Sequence, residues 1–118
     1  MIVDVANVVG SRPDGWWRDR PGAARRLHDQ VLAAALPERV VLVVEGAAKP
    51  GVAAGEAGGL RVVHAAASGD DAVVEEVGRA TTVDGSTTVV TSDRELRRRV
   101  TLLGAEVVGP HWLLSRLP

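Results

Sequence analysis

The chain reads as an open α/β domain with a mainly parallel sheet, and three observations predict that class. Strand-like and helix-like segments alternate along its 118 residues. Its strands are short β-branched runs such as Val40 to Val44, the pattern of strands covered on both faces. Acidic residues stand just past three such runs: Asp4, the pair Asp70-Asp71, and Asp93. In an open α/β sheet the carboxyl ends of parallel strands line one crevice, so acids far apart in sequence converge there. The expected order is β-α-β-loop-β-α-β-α-β-α, a five-stranded sheet between two helical layers.

Residues 1–5 read as the first strand, broken at Asn7 and Gly10. Gly10, Pro13, Asp14 and Gly15 mark residues 8–19 as a loop. Asp19 or Arg20 then opens a helix with Pro21 in its first turn, where proline is tolerated. Ala24, Leu27, Val31 and Leu32 give that helix an apolar stripe to about Leu36, and Pro37 ends it. Val40 to Val44 is the second strand. Residues 46–60, rich in Gly and Ala with Pro50, read as a long flexible loop, with a short helix at 52–57 as the alternative. Arg61 to Ala66 is the third strand. Ser68 or Asp70 caps a helix whose apolar face is Ala72, Val73, Val77 and Ala80. Asp84-Gly85 is a turn, and Thr87 to Val90 is the fourth strand. Ser92 or Asp93 caps a helix carrying Leu96, Val100 and Leu103, with Gly104 placed as its C′ glycine. Glu106 to Val108 is a fifth strand. Pro110 opens a last helix with Trp112, Leu113 and Leu114 apolar, expected to pack on the core; pairing with a second copy as a homodimer is the alternative.

Composition bounds the function. Residues 1–118 read as one domain, 46% hydrophobic and 25% charged, ordinary values for a globular fold. No cysteine is present, which excludes a disulfide framework and any Cys-based zinc site. No apolar run approaches the length needed to cross a bilayer, and no leader-like segment opens the chain. A cytoplasmic location away from membranes is therefore the default expectation. Net charge is −1, so no overall basic field draws in a polyanion. The arginines do cluster, at Arg12 to Arg26 and at Arg94 to Arg99. Solvated helix faces are the plain alternative for both groups.

Asp4 is the strongest single signal, because it interrupts an apolar strand where an unpaired carboxylate is costly to bury. Asn7, three residues on, suits a metal-bound water or a phosphate, or is a simple turn former. Asp71 and Glu75 share a helix face at i, i+4 spacing, and Asp70 is the competing acid. Ser92-Asp93-Arg94-Glu95 fits a capping box with Ser92 as cap, which would leave Asp93 as first helical residue over the strand end. Thr91 and Ser92 offer hydroxyls to a phosphate. Glu45 ends the second strand as a further acid, or as a rim residue bonded to an arginine. Clustered carboxylates resist ionising together, and a hard divalent cation resolves that conflict. Trp16-Trp17 in a loop can stack on unpaired bases or pin the loop to the core, the latter being expected. His28, His64 and His111 have no metal-ligand spacing.

Taken together, Ile2-Val3-Asp4-Val5-Ala6-Asn7, Ser68-Gly69-Asp70-Asp71 and Val90-Thr91-Ser92-Asp93-Arg94-Glu95-Leu96 resemble the NYN domains of the PIN-like nuclease superfamily, closest to the YacP-like branch. The resemblance runs from Met1 to about Leu117. It implies a three-layer α/β/α fold with five strands in the order 3-2-1-4-5. It also implies a Mg²⁺- or Mn²⁺-dependent ribonuclease. By motif, Asp4, Asp71 and Asp93 are similar to the family's metal-binding acids, and Asn7 to its first-loop asparagine. Glu45 stands where similar proteins often carry Asp, and Asp70 and Glu75 compete for the fourth acid.

The reading is thus a hydrolase, an endoribonuclease needing no protein nucleophile, with RNA as its partner. Arg18, Arg20, Arg94 and Ser92 are the expected backbone contacts, and Trp16 or Trp17 the base contact. The alternative is a catalytically inactive RNA-binding module. A receiver-type phosphoacceptor domain is disfavoured, since Lys49, the only lysine, does not follow the last strand. A dinucleotide site lacks its Gly-x-Gly-x-x-Gly.

Overall fold

A computed structural model describes residues 1–83 and 86–118, without the side chains of residues 81–83. The turn expected at Asp84-Gly85 lies outside the described residues. The sheet has six strands: β1 (Ile2–Asp4), β2 (Val40–Val44), β3 (Gly55–Ala57), β4 (Leu60–His64), β5 (Thr88–Val90) and β6 (Glu106–Val108). Their spatial order is β3-β4-β2-β1-β5-β6. All neighbours are parallel except β3 and β4, which run antiparallel. The five parallel strands follow the expected order 3-2-1-4-5, and β3 is added at one edge. The Leu42 register links Val3 of β1 to Val62 of β4, which places the chain's first strand at the centre.

Alternation along the strands sorts side chains to two faces. On one face Val3, Leu42, Val44, Val62 and Val90 pack with α1 (Val5–Gly10), α2 (Arg20–Ala34) and Leu113 of α5 (Pro110–Leu114). On the other face Ile2, Val43 and Val89 pack with α3 (Gly69–Val83) and α4 (Arg94–Leu102). Two small apolar cores therefore sandwich the sheet, and Ile2 and Val3 divide between them. Asp4 follows Ile2 in the alternation, toward the α3–α4 side. No helix among the described residues is long and apolar enough to cross a membrane.

Several expectations need correction. The first strand stops at Asp4, and Val5 to Gly10 is helical rather than the end of a strand and a loop. Val5, Val8 and Val9 are all buried, the i, i+3, i+4 spacing of a one-sided helix. The presumed flexible loop at 46–60 is ordered structure. Residues Gly46–Gly51 form a 3₁₀ helix packed on α2. A Cβ at Gly51 would overlap the backbone of Pro21, so only glycine allows that approach. Gly55–Ala57 is the extra strand, joined to β4 by Gly58-Gly59. Both turn glycines have positive φ, +57° and +81°, as a type I′ hairpin requires. Trp112, expected on the apolar side of the last helix, is 40% exposed with Arg116 stacked over it, while Pro110 and Leu113 carry the burial.

A candidate acidic centre at the carboxyl edge

Chain direction sets where the acids meet. From β1 the sheet extends through β2 in one direction and β5 in the other, which makes the carboxyl end of β1 the switch point of the topology. Open α/β sheets bind their ligands at such a point. Asp4 sits there, with the N-termini of α3 and α4 arriving on its side of the sheet.

Asp4 is 5% exposed. Burial pushes its carboxyl up to about 6, and the nearby charges of Asp70 and Glu45 add to the rise. The Thr91 hydroxyl donates to Asp4 Oδ2 at 3.0 Å and, with the Asn7 backbone N–H, offsets part of that penalty. Thr91 Oγ1 also accepts from the Asp93 backbone N–H at 3.1 Å. One hydroxyl thus joins the first strand to the turn after β5.

Asn7 locks the same turn. Its Oδ1 accepts both the Ser92 backbone N–H, at 2.8 Å, and the Ser92 hydroxyl, at 2.9 Å. This asparagine therefore positions the Thr91–Asp93 segment, and Ser92 is spent on that bond. The capping box expected from Ser92 does not form. Asp93 is the cap of α4, its Oδ1 accepting from the Leu96 N–H at 2.8 Å.

On α3, Ser68, one of the two caps expected with Asp70, takes the role, accepting from the Asp71 N–H at 3.1 Å. Glu45, the residue after β2, accepts the Gly69 N–H at 2.9 Å and so ties the end of β2 to the start of α3. Asp70 lies in the first turn, partly buried. Its carboxyl is raised by burial and then by the charges of Asp93 and Glu45. Asp71 faces outward instead and bonds Arg99 at 2.9 Å, which holds its carboxyl below the usual range. Glu75 shares that exposed face. The structure therefore gathers Asp4, Glu45, Asp70 and Asp93, and leaves Asp71 and Glu75 outside. Adjacent residues on a helix point about 100° apart, so Asp70 and Asp71 cannot share one role.

Among the described residues, no arginine or lysine forms an ion pair with any of those four acids. Nor do any three His, Asp or Glu side chains among them already grip one point as a cation would require. Oxygen donors of this kind suit a hard divalent ion, which usually takes one or two carboxylates and keeps water or substrate phosphate for the rest. The donor set fits such an ion in chemistry, with phosphate oxygens completing it.

The arginines expected at the site fall in two places, at the start of α4 and in the segment that leads into α2. Arg94 is exposed in the first turn of α4, beside Asp93. Arg20 stacks over Trp16 at 5.1 Å and Arg18 over Trp17 at 5.7 Å. The two indoles meet edge-on at 5.9 Å. Trp16 packs on the core, as expected of a pinned loop, while Trp17 is 55% exposed. Sequence reasoning passed over Glu76, which is 4% exposed and paired with both Arg61 and Arg79. Its i, i+3 spacing to Arg79 was the available signal.

Searches with family models, against curated proteins and against solved structures find no match to this chain. Its class is defined by architecture and site alone: an open α/β domain with an acidic centre at the switch point of its sheet.

Proposed function

We propose that this protein is a metal-dependent ribonuclease with a PIN-like NYN fold, hydrolysing RNA phosphodiester bonds as an endonuclease. One observation carries the reading: carboxylates from separate strand and helix ends lie near one another at the switch point, and none of the four forms an ion pair among the described residues. A fold that spends stability on such an arrangement is paid back by function at that place.

Asp4, Asp70 and Asp93 are the residues that would hold Mg²⁺ or Mn²⁺. Bound there, such an ion would lower the pKa of a water and offset charge on the scissile phosphate. The protein's own residues do the positioning. Thr91 orients Asp4 and the Asp93 backbone together. Asn7 keeps the Ser92 turn closed on α1. Glu45 braces the start of α3, which carries Asp70. Arg94 and the exposed arginines of α4 supply positive charge to an RNA backbone that four acids would otherwise repel.

The test is cleavage of labelled single-stranded and structured RNA in Mn²⁺, Mg²⁺ or EDTA, with Asp4→Asn and Asp93→Asn beside the wild type. Asn caps a helix as well as Asp does, so the second variant keeps α4. Cleavage that needs metal and drops at least about 100-fold in both variants is the expected result. RNA binding without cleavage, unaffected by either substitution, would replace this reading with a non-catalytic RNA-binding module.

A further inference from the structure

β3 is the outermost strand beside β4, and Gly55, Glu56 and Ala57 are all exposed. Ala57 and Leu60 close the two-residue hairpin as a hydrogen-bonded pair. Bonded and non-bonded pairs alternate along an antiparallel ladder. The N–H and C=O of Glu56 therefore point away from β4, toward solvent. Residues opposite one another share a face, so Gly55 and Ala57 lie on the side of Val62 and Leu60, toward α2. With only a hydrogen and a methyl as side chains, they leave a groove of 300 Å³ there. Leu60 and Val62 form its floor, and His28 and Leu32 of α2 its far wall. Leu32 is 54% exposed as a result. The other face of β3 carries a charge. Glu56 lies opposite Arg61, but Arg61 is committed to Glu76, and Glu56 forms no ion pair among the described residues.

We propose that β3 and this groove take an extended segment of a partner protein as a further strand, one with a basic residue flanked by two large apolar residues. Strand addition at an open sheet edge draws affinity from main-chain bonds and specificity from pockets for alternate side chains. Here the Glu56 N–H and C=O supply the main-chain pair. The residue bonded to them shares the face of Glu56, where a lysine or arginine pairs with the carboxylate. Its two neighbours in sequence then face α2. Large apolar side chains at those positions reach over Gly55 and Ala57 and fill the groove against Leu32, as cross-strand aromatics do over strand glycines. A second copy of this chain does not meet these terms. Pairing β3 with itself sets Glu56 against Glu56 and brings only Gly55 and Ala57 to the groove. The other free edge, β6, bonds β5 through Glu106 and Val108. It would offer Val107 to the Glu56 carboxylate and send Glu106 into the apolar groove. The surface lies apart from the acidic centre, and the proposal stands independently of the ribonuclease reading.

The experiment is fluorescence anisotropy of two labelled, end-blocked peptides, Thr-Phe-Lys-Phe-Thr and Thr-Phe-Glu-Phe-Thr, titrated with the whole chain at low salt. The lysine peptide should bind at least about fivefold tighter than the glutamate peptide. Glu56→Lys should reverse that order. It alters an exposed side chain and leaves the bonds between β3 and β4 in place, so circular dichroism should not change. Leu32→Ala removes the exposed wall of the groove and should weaken both peptides about fivefold. Absence of binding by either peptide, equal binding of the two, or an order that Glu56→Lys leaves unchanged overturns the proposal. Binding that Leu32→Ala leaves within about twofold of wild type overturns the role of the groove, since loss of that apolar contact must be felt. Sedimentation of the chain alone checks the occupant. Self-association that the lysine peptide displaces would put a second copy on this edge and overturn the assignment of a foreign segment.

Discussion

The two ends of the sheet treat carboxylates in opposite ways. Toward the amino edge, acids are matched to cations. Glu76 is buried against Arg61 and reaches Arg79, and Glu38 accepts two hydrogen bonds from Arg116 at 2.6 and 2.8 Å. At the carboxyl edge, Glu45, Asp4 and Asp93 accept from neutral donors, Gly69 N–H, the Thr91 hydroxyl and Leu96 N–H, and Asp70 lies close enough to Asp4, Glu45 and Asp93 for their charges to act on one another. Burial alone does not separate the two groups, since Glu76 and Asp4 are 4% and 5% exposed. What separates them is the partner. A paired buried acid holds the fold together, whereas an acid raised by burial and by its neighbours holds charge ready for something else.

The largest expected effect is on the pH dependence of stability in EDTA. Asp4 has a folded pKa of about 6 against 3.8 for the free group. Its folded state binds more protons between those values, so stability rises as pH falls through 6 and is lost again as pH climbs back. The shift corresponds to about 3 kcal/mol at full ionisation. Asp29, Glu38, Asp71 and Glu95 have lowered carboxyls, whose contribution is present at higher pH and lost in acid. Urea denaturation across pH 3 to 8 should therefore show a maximum near pH 5, with decline on both sides. A flat profile from pH 5 to 8 would erase the contrast between the two edges.

Glu76→Ala should come next, at a loss of about 2 kcal/mol. Breaking a buried pair costs about 3–5 kcal/mol, but Arg61 and Arg79 are 36% and 70% exposed and regain water. Thermal unfolding reads the loss, and metal-dependent cleavage per folded molecule should not change. Asp70→Asn should raise the half-maximal Mn²⁺ concentration at least about tenfold, since even partners behind the metal-holding groups are worth about 10–100-fold in affinity. Asp71→Asn should change it less than about twofold, because it removes only an exposed pair with Arg99. A metal titration of both variants sharpens the choice between these adjacent acids, and the reverse ranking would restore Asp71 to the centre.

Much of the architecture was legible because patterning is local. The β-branched runs and their alternation with helical stripes sufficed for five strands and their layers. Two misses had visible signals. Val5, Val8 and Val9 carry helical spacing, and Gly58-Gly59 between short apolar segments marks a two-residue hairpin. The ordering of residues 46–51 had none, since it depends on Gly51 meeting Pro21 across the fold. At the site, Asp4 and Asp93 stood out from strand ends alone. The choice of Asp70 over Asp71 turns on helix phase, which moves with the exact start of α3. Glu45 and Asn7 act through bonds to residues 24 and 85 positions away, beyond any local pattern.

The most direct measurement is the melting temperature of Asp4→Asn against wild type at pH 7.5 in EDTA. The substitution removes a buried charge while keeping an acceptor for Thr91. A rise of about 4–8 °C is expected, the equivalent of 1–2 kcal/mol in a domain of this size. A variant that melts at or below wild type would mean that Asp4 serves the fold as Glu76 does, and would contradict the functional reading of the carboxyl edge.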